Sequence, residues 1–227
     1  MSYPFRVICF GPPVASLALR YRWWRGARYT ELRHIRRARR IGLIDIPWKR
    51  YDFDYHLRAV RRYRPRMTVL RDIERGVRID SILRQAEQLG KHAGVLIAVP
   101  KRRGAIEQLE RVGLPNLILG YSVPTRHGGT QLPTSAFSGW PVHLLGGHPR
   151  VQRKLAEKLD VVSLDCNRLS IDAAFGDTFD GHTFRPGINE GYVACAAGSM
   201  RAINRTWRDY DGHIAHRRWL RKWLPLS

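Results

Sequence analysis

The stretch VHLLGGHPRVQRKLAEKLDVVSLDCNR, residues 142–168, contains two short apolar runs with a helical pattern between them. Val151, Leu155 and Leu159 recur at helical spacing between the runs. Continuous apolar runs are typical of strands that are covered on both faces. Two parallel strands need a helical crossover of this kind, so the stretch predicts one strand–helix–strand unit.

The same alternation extends over most of the 227 residues. Further apolar runs lie at 5–10, 41–46, 67–72, 94–99 and 116–122, with helical patterns near 57–60, 82–89 and 106–112. The last six of the seven runs end 20 to 27 residues apart. This regularity favours an α/β fold, a compact, TIM-like (β/α)8 barrel, as one domain over 1–227. The alternative is an open doubly wound sheet, but the loop CFGPPVAS (9–16) lacks the G-x-G-x-x-G pattern expected there.

The charge of the chain is unusual, with 40 Lys and Arg against 19 Asp and Glu and a formal net charge of +21. A strongly basic domain is typical of nucleic-acid binders. Residues 20–40 and 201–224 interleave Arg with Trp and Tyr, and we expect them to form basic, aromatic helical additions to the barrel. Their Trp rings would either stack on bases or pack on the barrel, and we expect both. The predicted phosphate-binding residues are Arg36, Arg37, Arg39, Arg40 and Arg168.

Other classes of protein fit less well. No apolar stretch is long enough to span a membrane and the start lacks a signal-peptide pattern, so we expect a cytoplasmic protein without a membrane partner. Cys9, Cys166 and Cys195 form no C-x-x-C pair. Neither a disulfide framework nor a finger-type zinc site is therefore expected, and we predict no metal or other cofactor.

Three of the apolar runs end in aspartate, at Asp45, Asp72 and Asp165. A single Asp after a strand is a common turn or cap residue. The carboxyl ends of the strands of a (β/α)8 barrel meet at one mouth, so three such residues would gather in one pocket. Grouped carboxylates suit a nucleophile, a proton-transfer group and an acceptor that orients the substrate. The chemistry they would serve is cleavage of a glycosidic bond.

At these residues the chain resembles the tRNA-guanine transglycosylases. In that family a strand ending in Gly-x-Gly precedes a helix, and the next strand ends in Phe-Asp-Cys with the catalytic nucleophile, as 142–168 does with LDC. The resemblance implies that Asp165 is the nucleophile. MTVLRD (67–72) matches the strand whose Asp grips the guanine edge, which points to Asp72, and GLIDIPW (42–48) matches that of the general acid/base, which points to Asp45.

Further residues follow from the same resemblance and from their position beside it. NLILGYSVP (116–124) resembles the strand whose glycine borders the base pocket, which points to Gly120. His143 either has a role in the pocket, or fills the barrel interior or bonds a carbonyl. Asn167 and Arg168 follow the nucleophile and would contact sugar or phosphate, although Arg168 equally suits the general basic surface. The predicted substrate-binding residues are Asp72, Gly120, Tyr121, His143, Gly146 and Asn167.

The departures from the family are also informative. The residues after Asp45 are Ile46-Pro47-Trp48 instead of Ser-Gly-Gly, and Pro100-Lys101 replaces a Gln. The Cys and His residues of the family's zinc site are missing. This shorter, Arg-rich form is more similar to the phage-encoded DNA-guanine transglycosylases. That resemblance implies DNA as the polymer, with tRNA as the alternative, a free base such as 7-cyano-7-deazaguanine as co-substrate, and the cytoplasm of a bacterial host.

A non-catalytic nucleic-acid-binding barrel, in which the aspartates are structural caps, is the alternative of a different class. The charge of +21 supports both hypotheses. Carboxylates in a binding cleft repel phosphates, so the acidic cluster favours the enzyme. The composition of 176–187 predicts a loop without a chemical role. The segment 192–207 stays open, since it suits either an eighth strand or a closing helix.

Overall fold

Eight parallel strands close into a barrel in chain order, which confirms the predicted (β/α)8 fold. A computed structural model describes residues 4–36, 38, 40–47, 49–126, 128–187, 191–210 and 212. The strands are β1 Phe5–Ile8, β2 Trp24–Arg28, β3 Leu43–Asp45, β4 Met67–Val69, β5 Val95–Ala98, β6 Leu117–Ser122, β7 Pro141–Leu145 and β8 Asp160–Asp165. Each strand pairs with the next, and β8 pairs with β1 to close the ring.

Helices surround the strands and bury most of the positions that the sequence pattern predicts, although Val112 and Val151 are 42% and 40% exposed. They are α1 Val14–Arg20, α2 Phe53–Tyr63, α3 Ile79–Gly90, α4 Ala105–Val112, α5 Pro149–Leu155, α6 Arg168–Ala174 and α7 Tyr192–Thr206, with 3-10 helices at Tyr29–Ile35 and Thr134–Phe137. In α3 the buried residues are Ile82, Ala86 and Leu89. Because these faces pack on the sheet, the barrel is covered on its outside. None of the helices in these ranges is long and apolar enough to cross a membrane.

The expectation of a helical addition at 20–40 is wrong. Trp24–Arg28 is β2, inserted between β1 and β3, and a 3-10 helix follows it. Gly26 makes this strand possible, because a Cβ there would lie 2.6 Å from Cys9 Sγ and 2.9 Å from the carbonyl oxygen of Leu43. With Arg at both ends of RGAR, the strand has no continuous apolar run, so its pattern does not predict it.

The C-terminal part decides the open segment 192–207 and corrects the prediction of a loop at 176–187. Residues 192–206 form α7, since β2 already supplies the eighth strand. Residues 176–187 contain an antiparallel hairpin of β9 Asp177–Phe179 and β10 Phe184–Pro186 rather than a loop alone. The turn is ordered by the Asp180 carboxylate, which accepts the backbone N–H groups of His182 and Thr183 at 2.7 and 2.9 Å. Of the predicted basic segment 201–224, the structure describes 201–210 and 212.

The tryptophans in the described part of these two segments mainly pack against the barrel. Trp23 and Trp207 are fully buried, and Trp24 is half-buried. The indole N–H of Trp23 donates to Asn204 Oδ1 at 2.8 Å and ties the start of β2 to α7. Packing on the barrel is therefore the role of these three rings, while Trp219 and Trp223 lie outside the described residues.

A buried polar chain links α2 to the sheet. His56 is fully buried, with Nε2 2.7 Å from Thr68 Oγ1 and Nδ1 3.2 Å from the Tyr51 hydroxyl. The Thr68 hydroxyl donates to the carbonyl of Ile44 at 2.9 Å, so it accepts from His56 Nε2–H. His56 Nδ1 then accepts from Tyr51. The hydrogen bonds from Tyr51 through His56 to Thr68 are all made only while the imidazole is neutral. Burial lowers the pKa of His56 to about 4.

We expect His56 to make the fold sensitive to acid. Between pH 6.5 and 4 the unfolded chain takes up a proton that the folded chain does not, so stability is lost as the pH falls. The loss attributable to this group is about 2–3 kcal/mol. His56→Gln should remove it, so the difference in unfolding free energy between pH 7 and pH 4.5, measured by urea titration, should shrink by that amount.

His182→Gln is the matched control, because that side chain is exposed. An acid-dependent loss of stability in His56→Gln as large as in the unmodified chain would contradict this account.

Candidate active site

The structure brings Asp45, Asp72 and Asp165 together at the mouth of the barrel. They line one cavity of about 410 Å³ at the carboxyl ends of the strands. Asp45 and Asp165 are the last residues of β3 and β8, whereas Asp72 lies three residues beyond β4. This is the position at which barrel enzymes hold their catalytic groups.

Asp165 is held in a fixed orientation and is only 4% exposed. Its Oδ1 accepts the backbone N–H of Gly146 at 3.0 Å and lies 3.4 Å from His143 Nε2. Its Oδ2 accepts from the Asn167 amide at 3.4 Å. Donors on both oxygens fix the carboxylate in place and offset part of the cost of burying it.

The residues behind Asp165 are buried as well. His143 is fully buried inside the barrel and its Nδ1 lies 2.7 Å from Ser163 Oγ, so it fills the interior, which is one of the two roles expected for it. His143 therefore positions Asp165 from below and does not line the cavity. Gln152 of α5 donates to the carbonyls of Gly146 and Asp165 at 2.7 and 2.8 Å. Sequence reasoning missed Gln152, because a polar residue on a helix carries no sign of being buried.

The turn after β7 requires its two glycines. Gly146 and Gly147 have φ values of +60° and +86°, in the left-handed region. A Cβ on Gly147 would lie 2.3 Å from Val123 Cγ1. The turn passes this close to the residue that follows β6, and Gly146, whose N–H donates to Asp165, lines the cavity.

Asn167 joins the site to the seam between the first and last strands. Its Oδ1 accepts the backbone N–H of Cys9 at 2.8 Å, while its Nδ2 donates to Asp165. Asn167 also lines the cavity. The structure thus shows that Asn167 holds β8 against the segment after β1, while its predicted part in substrate binding stays a prediction.

Asp45 holds a proton at neutral pH more readily than an ordinary carboxyl group. Burial, together with the charge of Asp165, raises the pKa of Asp45 to about 7. The Ile46 N–H, 2.8 Å from Oδ1, and the Arg28 guanidinium act in the opposite direction. Arg28 ends β2 and lines the cavity. Sequence reasoning did not single it out, because β2 was not recognised as a strand.

Asp72 shares its part of the cavity with a cation. Lys101 Nζ lies 3.9 Å from Asp72 Oδ2 and donates to Ser122 Oγ at 2.7 Å. Burial raises the pKa of Asp72, and Lys101 limits the rise. The pair presents a hydrogen-bond acceptor and a donor side by side on one wall of the cavity.

Two predicted residues on β6 lie outside the cavity. Gly120 faces the packed interior, where a Cβ would lie 2.9 Å from side-chain atoms of Ile97 and Val99. Tyr121 points to the other face of the strand, and its ring packs edge-on against Phe137 with 5.1 Å between centroids. Neither residue is part of the cavity lining.

The predicted phosphate-binding arginines that the structure describes are not part of the cavity lining either. Arg168 forms an ion pair with Asp172 on its own helix, and its guanidinium carbon lies 5.6 Å from the centroid of the Phe184 ring. Arg36 and Arg40 are exposed. Arg37 and Arg39 lie outside the described residues.

Comparison with known proteins places the chain in a family. Residues 18–208 match the family described as "Family of unknown function (DUF6610)". The chain belongs to this family. The match covers β2 through α7 and so includes every residue of the cavity lining. No curated protein matches the chain. Within the described ranges, no group of three or more His, Cys, Asp and Glu side chains could hold a metal ion.

We expect Asp45→Asn to stabilise the fold, and to do so more at pH 8 than at pH 5. Because the folded-state pKa is raised, the stability linked to the protonated form is present at acidic pH and lost as the pH rises through about 7. Asparagine does not ionise, so Asp45→Asn removes this pH-dependent loss of stability. Since Asp45 is only half-buried and lines the cavity, the gain at pH 8 should be about 1–2 kcal/mol by urea titration.

The control is Asp209→Asn, at an exposed position outside the barrel mouth. If Asp45→Asn gave no more stabilisation at pH 8 than at pH 5, the carboxyl group would not be held in the protonated form by its surroundings.

Proposed function

We propose that this chain is a DNA-guanine transglycosylase, a pentosyltransferase that exchanges guanine in DNA for a 7-deazaguanine base. The observation that carries the proposal is the Asp165 carboxylate, held on both oxygens at the inner wall of a cavity that also contains Asp45 and Asp72. A carboxylate fixed in this way is suited to attack a sugar carbon. The resemblance of 142–168 to the transglycosylases supports the same role.

The reaction proceeds by double displacement. An Asp165 oxygen attacks C1′ of the nucleotide, and the C1′–O bond forms as the C1′–N9 bond to guanine breaks. The bonding electrons leave with guanine, which takes a proton from Asp45. The incoming deazaguanine then gives its N9 proton back to Asp45, attacks C1′ with N9 and displaces Asp165. Atoms and charge balance over the two steps, and each step inverts C1′, so the configuration is retained.

The environment of Asp45 suits both halves of this cycle. A pKa of about 7 leaves the acid and the base forms populated near neutral pH. The neighbouring charge of Asp165 contributes to that pKa. When Asp165 is consumed in the covalent bond, the repulsion disappears and Asp45 gives up its proton more readily, at the moment when guanine needs it.

Asp72 and Lys101 are the proposed base-recognition pair. The N1–H and the amino group of guanine are donors, which an ionised carboxylate accepts together. The Lys101 ammonium lies next to that carboxylate and suits the O6 acceptor beside N1. The same edge is present in 7-deazaguanines, so one pair serves both the leaving and the incoming base.

The net charge of +21 suits a nucleic-acid strand as the other substrate. A guanine inside a duplex cannot reach a carboxylate at a barrel mouth, so it must be flipped out or lie in a single strand. Flipping costs about a few kcal/mol, which phosphate contacts offset. A purely phosphate-binding barrel gains nothing from three carboxylates at its mouth, and this favours the enzyme over a non-catalytic binding module.

We expect Asp165→Asn to fold normally and to lose both base exchange and the covalent protein–DNA adduct, by at least about 10³-fold in rate. Purified chain is incubated with DNA or tRNA and 7-cyano-7-deazaguanine, nucleosides are quantified by mass spectrometry, and the adduct is trapped by denaturing electrophoresis. Asp209→Asn, an exposed carboxylate, is the control. Exchange in Asp165→Asn at the unmodified rate would remove Asp165 from the mechanism, and modification of tRNA alone would replace DNA as the polymer.

Asp72→Ala should weaken base selection more than polymer binding. Loss of a bidentate acceptor should raise the KM for the free base by about tenfold or more, with a change of less than about twofold in oligonucleotide affinity. Competition between the deazaguanine and adenine, read by mass spectrometry, measures the selectivity. If affinity for the oligonucleotide collapsed while selectivity survived, Asp72 would belong to the strand-binding surface instead.

A further inference from the structure

A second cavity of about 340 Å³ opens beside the first and shares two of its wall residues, Ile46 and Asp72. Three cationic side chains line it, together with one further carboxylate and one hydroxyl: Lys49, Arg50, Arg71, Glu74 and Tyr51. The three cations are exposed at its rim. The basic cavity therefore adjoins the acidic one and has cations where the first has mainly carboxylates.

The loop that carries Arg50 is fixed by the aromatic residues beneath it. The Tyr29 hydroxyl donates to the Arg50 carbonyl at 3.1 Å and accepts the Asp52 N–H at 2.7 Å. The Tyr51 hydroxyl next to Arg50 bonds His56 in the buried chain below. Arg50 thus projects from a backbone that is held on both sides, which reduces the entropy lost when it grips a ligand.

Arg71 is anchored in a similar way. The Leu70 N–H donates to the Ile97 carbonyl at 2.8 Å, and the Ile73 N–H donates to the Val99 carbonyl at 2.9 Å. These bonds tie the backbone before and after Arg71 to β5 and to the residue that follows it. Both arginines are therefore presented from rigid segments, and both face one cavity.

We propose that the basic cavity binds the backbone phosphodiester next to the target nucleotide, with Arg50 and Arg71 as the phosphate-binding pair. This placement rests on the proposed function. Guanidinium groups match phosphate oxygens with paired hydrogen bonds. A phosphate seated here puts the adjoining sugar across the shared wall of Ile46 and Asp72, toward Asp165.

The positions of the nearby carboxylates also favour a phosphate in the basic cavity. Asp72 is paired with Lys101 on the side of the first cavity, which leaves Glu74 as the exposed negative charge of the second. A phosphate is repelled by Asp45 and Asp165 and attracted by the arginines, so the strand lies with its phosphate in the basic cavity and its sugar in the acidic one. Removal of Glu74 should then strengthen binding.

The test uses the full chain in an Asp165→Asn background, where no turnover occurs. Fluorescence anisotropy gives the affinity for a short single-stranded oligodeoxynucleotide with one guanine, over a range of NaCl concentrations. Arg50→Gln combined with Arg71→Gln should weaken binding about tenfold and lower the salt slope by about 0.7, the value for one phosphate contact in a single strand. Glu74→Gln should tighten binding, which a misfolded variant would not do.

Arg84→Gln combined with Arg111→Gln, two exposed arginines on outer helices, removes the same charge and should change the slope little. A neutral methylphosphonate on the linkage 5′ or 3′ of the guanine should abolish the effect of the Arg50/Arg71 pair in one of the two positions. A methylphosphonate far from the guanine should leave that effect intact. Equal slopes for the two double variants, or an effect that survives both flanking substitutions, would overturn the proposal.

Base exchange, measured separately with Asp165 intact, distinguishes the two claims. If base exchange occurs but the effect of the Arg50/Arg71 pair does not depend on the flanking phosphate, only the phosphate site is overturned. If that effect depends on the flanking phosphate but no base exchange occurs, the phosphate site is supported and only the proposed reaction is overturned.

Discussion

Closure of the sheet between β1 and β8 is the constraint on which the site depends. Val7 pairs with Asp165 in the register of this seam, the Cys166 N–H donates to the Val7 carbonyl at 3.2 Å, and Asn167 accepts the Cys9 N–H. Because all eight strands are parallel, closing the ring brings their carboxyl ends to one mouth. In an open sheet of the same order, Asp45 on β3 would lie five strands away from Asp165 on β8.

The mouth concentrates negative charge on a molecule that is otherwise strongly positive. Three carboxylates share one cavity. Ionising Asp45 and Asp72 there has a cost, because burial raises the pKa of both groups and the charge of Asp165 raises that of Asp45 further. Arg28 and Lys101 reduce this cost without cancelling it. Stability sacrificed in this way is typical of functional sites, where groups are held in a charge state that the surroundings disfavour.

Asp165 is supported from the barrel interior by a set of buried polar side chains. His143, Ser163 and Gln152 are fully buried polar residues that bond to each other, to Asp165 or to its turn. Buried polar groups of this kind need their partners in place, so they fix the geometry of the carboxylate. A carboxylate held from behind in this way needs little reorganisation when a ligand arrives.

The sequence by itself determined the alternation of strands and helices, and with it the barrel, because apolar periodicity reports directly which faces are covered. It also placed Asp45 and Asp165 at strand ends, where barrel topology gathers them. The tertiary structure alone decided the rest. RGAR became a strand because Gly26 fits between Cys9 and Leu43, and His143 and Gln152 became supports of Asp165. Contacts such as that between Cys9 and Asn167 join residues 158 positions apart, and no local pattern encodes a pairing of that range.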